Sequence, residues 1–215
     1  MTNLGAPLAA PAPAPALARS WRGGWRDGIG YGAAGLPLAF VALPLYVVLP
    51  NHYASVFGVP LALLGIVLLT ARLLDAVADP LIGRWADALF ARSAMQAWRV
   101  AAIAAVVLAL GFRALFFPPV EGATALVVWC AALLAVTYLS YSIVSVIHQA
   151  WGARLGGDEA QRARIVAWRE GLALGGVLVA SVLPSLAGLS VTSAVFAGTL
   201  AVAVALLSRA PLMAR

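Results

Sequence analysis

The sequence contains no lysine, a single cysteine and two histidines, and charged residues make up only 10% of it. Each scarcity excludes something. With one cysteine, Cys130, set in an apolar run, there is no disulfide framework and no Cys/His cluster at metal-ligand spacing. The sequence therefore predicts neither a bound metal nor a cofactor, and the lack of a visible nucleophile-base pair speaks against an enzyme. The formal charge of +6 comes from fourteen basic residues, all arginine, in short clusters between apolar runs. RNA or DNA binding needs a continuous basic surface interleaved with polar or aromatic contacts, so nucleic acid is excluded as a partner.

What is abundant is apolar surface. Hydrophobic residues make up 63% of the chain and the mean hydropathy is +0.97, which leaves a lipid bilayer as the only plausible solvent. The sequence predicts an all-α, polytopic membrane protein. Residues 1–24, rich in Ala and Pro, read as a disordered cytoplasmic tail, 25–210 as the transmembrane domain and 211–215 as a cytoplasmic end. A run without Arg, Asp or Glu extends from Gly28 to Ala71, about twice the ~20 residues one crossing needs. It should break at Pro50-Asn51-His52-Tyr53, giving span 1 over 28–50 and span 2 over 55–88. Span 3 follows over 98–117, span 4 over 123–153, and two more spans within 165–207, divided near Pro184-Ser185 and Gly188.

Six transmembrane helices make the arginines alternate by side. Arg19, Arg22, Arg26, Arg84, Arg92, Arg99, Arg154, Arg162, Arg164, Arg169, Arg209 and Arg215 all fall on one face, while the connections near Asn51, Glu121 and Ser185 carry none. The positive-inside rule then puts both termini in the cytoplasm of a plasma (inner) membrane protein.

Within LLTARLLDAVADPLIGRWAD, Arg72, Asp75, Asp79, Gly83 and Asp87 recur every three or four residues and so share one face of span 2. Each charge at bilayer depth costs ~2.5–3.5 kcal/mol on insertion scales, so the stripe should face protein or a water-filled cavity. Arg72 can neutralise Asp75, leaving Asp79 as a second carboxylate one turn away. Two close carboxylates either hold a cation or retain a proton, and either outcome serves a cation-coupled transporter. An ion pair that merely locks two helices together is the plainer alternative. Pro80 withholds a backbone bond beside the acids.

Span 4 is dense in polar residues. Ser142, Ser145 and Gln149, with Tyr138, are candidates to line a solute cavity, against the alternative of simple interhelical hydrogen bonding. His148 reads equally as a gate contact or a proton relay. Arg113 reads as structural, reaching the interface or Glu121. The pairs Gly28/Gly32 and Gly171/Gly175 predict close helix packing, and Trp25, Trp98, Trp151 and Trp168 an interfacial aromatic belt.

Three segments, GYGAAGLPLAFVALPLYVVLPNHYA, RLLDAVADPLIGRWAD and AWGARLGGDEAQRARIVAWREG, resemble the glycoside-pentoside-hexuronide:cation symporters, the melibiose-permease-like family of the major facilitator superfamily. The resemblance covers nearly the whole chain after Trp21. It implies the N-terminal six-helix half of a twelve-helix transporter, with Asp75 and Asp79 binding the coupling cation beside Arg72. The family's sugar-binding acids fall at Pro37 and Ser145, so both sugar carboxylates are missing. An amide of its sodium site falls at Ala78, while the span 4 hydroxyl is kept as Ser142. Sodium wants several oxygens at once, so the resemblance implies proton rather than sodium coupling. Gly83 and Asp87 match the superfamily's cytoplasmic loop motif, whose following Gly and basic run are not kept, and Arg169 with Glu170 matches a gating or loop contact.

The expected partners are thus a small-molecule solute, a coupling proton or sodium ion, membrane lipid and a second six-helix half. That half is expected as a separately encoded chain, a second copy in a homodimer, or the missing part of a truncated gene. The competing expectation is a non-transporting membrane subunit or scaffold that associates with another membrane protein.

Overall fold

In the computed structural model, residue 21 and residues 24–210 are described. Of the expected N-terminal tail, residues 1–20, 22 and 23, with Arg19 and Arg22, lie outside the described residues, as does the expected end at 211–215, with Arg215, whereas Trp21 of that tail is buried. All regular structure among the described residues is helical: α1 (Trp25–Gly32), α2 (Gly35–Leu43), a π-helical turn (Pro44–Val48), α3 (Leu49–Phe57), α4 (Leu61–Arg92), α5 (Ala94–Phe116), α6 (Ala123–Arg154) and α7 (Glu159–Leu207). The pieces from Trp25 to Phe57 make one near-continuous span, and among the described residues five segments are long and apolar enough to cross a membrane, one fewer than the expected six.

The expected break at Pro50 is not where the chain turns. Helix continues to Phe57, where Gly58 takes φ 68° and the Val59 N–H bonds to the Tyr53 carbonyl at 3.1 Å, a glycine stop of the kind that ends many helices. Pro50 is tolerated because it directly follows the π turn, in which the Leu49 N–H reaches five residues back to the Pro44 carbonyl. The helical ladder is being re-registered there, so a missing donor costs little. The next boundaries fall close to expectation. Ser93 caps α5, its hydroxyl accepting from the Met95 N–H at 3.2 Å, and Asp158 caps α7 through the Gln161 N–H at 2.8 Å.

The last of these segments, α7, runs 49 residues. A straight helix of that length would measure ~74 Å against a hydrocarbon core of ~30 Å. Gly188 interrupts it at φ 79°, ψ 169°, a conformation glycine reaches without Cβ strain. Both ends return to α1: a Cβ on Gly32 would lie 2.9 Å from the Trp168 backbone, and one on Gly30 would lie 3.9 Å from Ala210. The segment therefore doubles back on itself.

Close approach between α1–α2 and the first part of α7 organises the bundle. Gly28 lies on the Trp168 ring, Gly35 on the Arg169 carbonyl, and Gly176 against the Leu36 carbonyl, each with no room for a side chain. The expected packing role thus holds for Gly28 and Gly32. It does not hold for Gly171 and Gly175, where an added Cβ would meet nothing within 4 Å. The glycine at the contact is Gly176, one residue on and therefore on a different side of the helix. α6 packs against both α4 and α5, and α5 also meets α7. Phe40 and Phe112 both pack on Phe196, with ring centroids 5.8 and 4.6 Å away, in the larger core. A second core gathers Trp21, Tyr31, Phe90, Trp151, Ile165 and Leu207.

The aromatic belt is corrected by that second core. Trp151 is buried edge-on to Phe90, Trp98 donates to the Val204 carbonyl at 2.9 Å, and Trp168 packs beneath Gly28. Trp25 alone of the four is largely exposed. Indoles at helix ends serve packing as readily as interfaces, because most of their surface is apolar.

Candidate functional site

The spacing of Arg72 and Asp75 places them one turn apart on α4, and they form an ion pair at 3.2 Å. The second carboxylate oxygen of Asp75 accepts a hydrogen bond from the Ser142 hydroxyl on α6 at 2.5 Å. Both oxygens of this buried carboxylate therefore have a donor, one from its own helix and one from the neighbour. The environments of the pair are unequal: the Arg72 side chain is 49% exposed and that of Asp75 only 6%. The exposed guanidinium has aromatic cover, with its Cζ 4.6 Å from the Tyr46 ring centroid and 5.7 Å from that of Tyr138, contacts worth ~0.5–2 kcal/mol each depending on desolvation.

Tyr46 is a site residue that the sequence reading missed. It belongs to the π turn of Pro44–Val48, and such turns cluster at functional sites because they re-aim a side chain within an otherwise regular helix. The signal available was the spacing of Pro37, Pro44 and Pro50, each withholding a backbone donor.

Asp79, the third member of the stripe, lies on the same helix but outside this cluster. It is exposed and makes no hydrogen bond or ion pair among the described residues. Of the four candidate solute-lining residues, Ser142 and Tyr138 belong to the Asp75–Arg72 cluster. Ser145 and Gln149 hydrogen-bond to each other at 3.0 Å and line a groove of ≈ 360 Å³ with Tyr141, His148, Arg169 and Glu170. A second cleft of ≈ 580 Å³ lies further along α6 and α7, bordered by Gly83, Asp87, Arg162 and Val166. Gln149 and Arg169 border both spaces.

His148 is held by two contacts to Tyr31. Its ring is buried, stacks on Tyr31 with centroids 4.5 Å apart, and hydrogen-bonds through Nε2 to the Tyr31 carbonyl at 2.9 Å. A carbonyl can only accept, so that nitrogen carries the hydrogen, and the side chain braces the α1–α2 junction. Asp87 reaches across to α6, pairing with Arg154 at 2.7 Å, while the Arg154 Cζ sits 4.2 Å from the Phe90 ring centroid. Arg169 forks onto its neighbour Glu170 at 2.6 and 2.9 Å. Arg113 packs over Phe117 at 4.8 Å rather than meeting Glu121.

The sequence matches the MFS/sugar transport protein family over residues 30–210. Among curated proteins it is 27% identical over 157 residues to an inner membrane symporter, YicJ, and 28% identical over 155 residues to a putative glycoside/cation symporter, YagG, both of Escherichia coli K12. These alignments take in 73% and 72% of the chain but 33% and 34% of the relatives, so the chain spans about a third of their length. With the family match extending through the stripe on α4, the polar helix α6 and the doubled-back α7, the chain belongs to the MFS/sugar transport protein family.

Proposed function

We propose that the chain forms one six-crossing bundle of a proton-coupled solute symporter of the inner membrane, with α7 contributing two crossings that meet at Gly188 and both ends of the bundle on the cytoplasmic side. The relatives named as symporters support the class; the alternation of arginine clusters supports the orientation. A second bundle covers the α4 face on which Arg72 and Asp79 are exposed, since neither charge is stable against lipid.

The observation that carries the reading is the pair of contacts on Asp75, from Arg72 on its own helix and Ser142 on the next. Proton coupling at this carboxylate would act on both contacts. Ionised, it holds Arg72 and ties α4 to α6; protonated, it loses its attraction for the guanidinium, and Arg72 is left on the Tyr46 and Tyr138 rings. Asp79, unpaired and one turn along, receives the proton and shares it with Asp75. The solute route runs along the seam of α6 and α7, through the groove at Ser145 and the cleft at Asp87, with Gln149 and Arg169 at the junction. The hydroxyl, amide and paired-charge lining suits a neutral, polar solute.

The test is uptake into proteoliposomes driven by an imposed pH gradient, with labelled glycosides and other neutral polar solutes. Asp75→Asn and Asp79→Asn should each cut gradient-driven uptake at least tenfold. Undiminished uptake in both variants would falsify the assignment.

A further inference from the structure

The first part of α7 presents a second, separate feature. Arg162, Arg169 and Val177 face the clefts just described, whereas Arg164 lies about 200° round the helix from Arg162. On that opposite side, Arg164, Ala167, Trp168, Gly171 and Leu172 bound a groove of ≈ 380 Å³. Its composition is graded. Arg164 stands at one end, exposed and without an ion pair among the described residues; the rest of the lining is apolar. The wall is Trp168, held by Gly28 of α1. The floor is open, because a Cβ at Gly171 or Gly175 would meet nothing within 4 Å, and Leu174 and Leu178 stand exposed beside it.

We propose that this groove binds one anionic phospholipid, with the phosphate on Arg164 and an acyl chain laid along Gly171 and Gly175. Three points select this occupant. The groove faces away from the side of α7 along which the proposed solute route runs. A cation at one end of an apolar floor complements an amphiphile rather than a soluble phosphate. The distance from Arg164 to Gly175 is ~16 Å along the helix, about half of a ~30 Å hydrocarbon core and so one leaflet deep. The site is independent of the coupling reading, and the failure of either leaves the other standing.

Native mass spectrometry of the detergent-purified chain, with phosphatidylglycerol and phosphatidylcholine of identical acyl chains in competition, tests it. The native protein should retain phosphatidylglycerol about fivefold over phosphatidylcholine, the preference expected of one basic residue on an anionic headgroup. Arg164→Gln should bring that ratio near one with an unchanged melting temperature, while Arg162→Gln, on the far side of the helix, leaves it intact. Gly171→Leu, which fills open space and so folds, should reduce retention of both lipids. The proposal is overturned if Arg164→Gln keeps the preference, if Arg162→Gln loses it equally, if Gly171→Leu holds native amounts of lipid, or if excess glycerol phosphate displaces the lipid.

Discussion

At the scale of single residues, Asp75 is the group on which most converges: burial, an ion pair and a hydroxyl from the next helix. Removing the hydroxyl isolates the value of the interhelical contact. Ser142→Ala should lower bundle stability by ~0.6–1.7 kcal/mol, the range measured for hydrogen bonds between helices in membranes, read as a shift in denaturant midpoint in detergent. A change below 0.2 kcal/mol would mean the bond contributes nothing to holding α4 on α6. The Arg72–Asp75 pair was legible in the sequence because spacing of three residues fixes neighbours on a helix regardless of tertiary context. Tyr46 was not, since a π turn shifts every later residue of its helix round the axis and no periodicity argument anticipates the shift. Asp79 shares the stripe but not the cluster, because a helical face is wide enough to carry one residue into a contact and leave the next outside it.

At the scale of elements, glycine placement decides which helices touch. Gly176 abuts the Leu36 carbonyl, and its neighbour Gly175 has open space. Adding one methyl to each gives opposite outcomes: Gly176→Ala should destabilise the bundle by ~1–3 kcal/mol through overpacking, whereas Gly175→Ala should be neutral or slightly stabilising from helix propensity. Equal effects on thermal unfolding would contradict the packing described here. The sequence offered Gly171 and Gly175 as a packing pair through their spacing; the contact instead uses Gly32, Gly35 and Gly176, which form no tidy repeat within one helix because the partners lie on two. The turn after the first span was misplaced for a related reason. Pro50 carries the stronger local signal for a break, but Gly58 supplies the left-handed conformation that ends the helix.

At the scale of the molecule, the proposed two crossings of α7 make a topology that chemical labelling can read. The native Cys130 is buried and should be silent toward a membrane-impermeant maleimide in intact cells. Ser185→Cys, near the Gly188 turn, should label from outside, and Ala160→Cys, in the first turn of α7, only after the membrane is opened. Labelling of both from the same side would refute two crossings. Overall hydropathy made the membrane class readable from sequence, since it follows from bilayer solvation and not from packing detail. Which surfaces face lipid and which face protein was not readable, because an apolar side chain satisfies either.

The turn at Gly188 also bears on how the chain enters the membrane. From Gly171 to Leu207 there is no charged side chain, so under the proposed topology the connection carried to the far side brings no ion through the hydrocarbon. The short Gly58–Val59–Pro60 link between α3 and α4 is uncharged as well. In terms of biogenesis, translocation of these turns meets little electrostatic resistance, and orientation is left to the arginines that stay behind. Placing even one arginine at the Gly188 turn would set the two halves of α7 in competition for the same side.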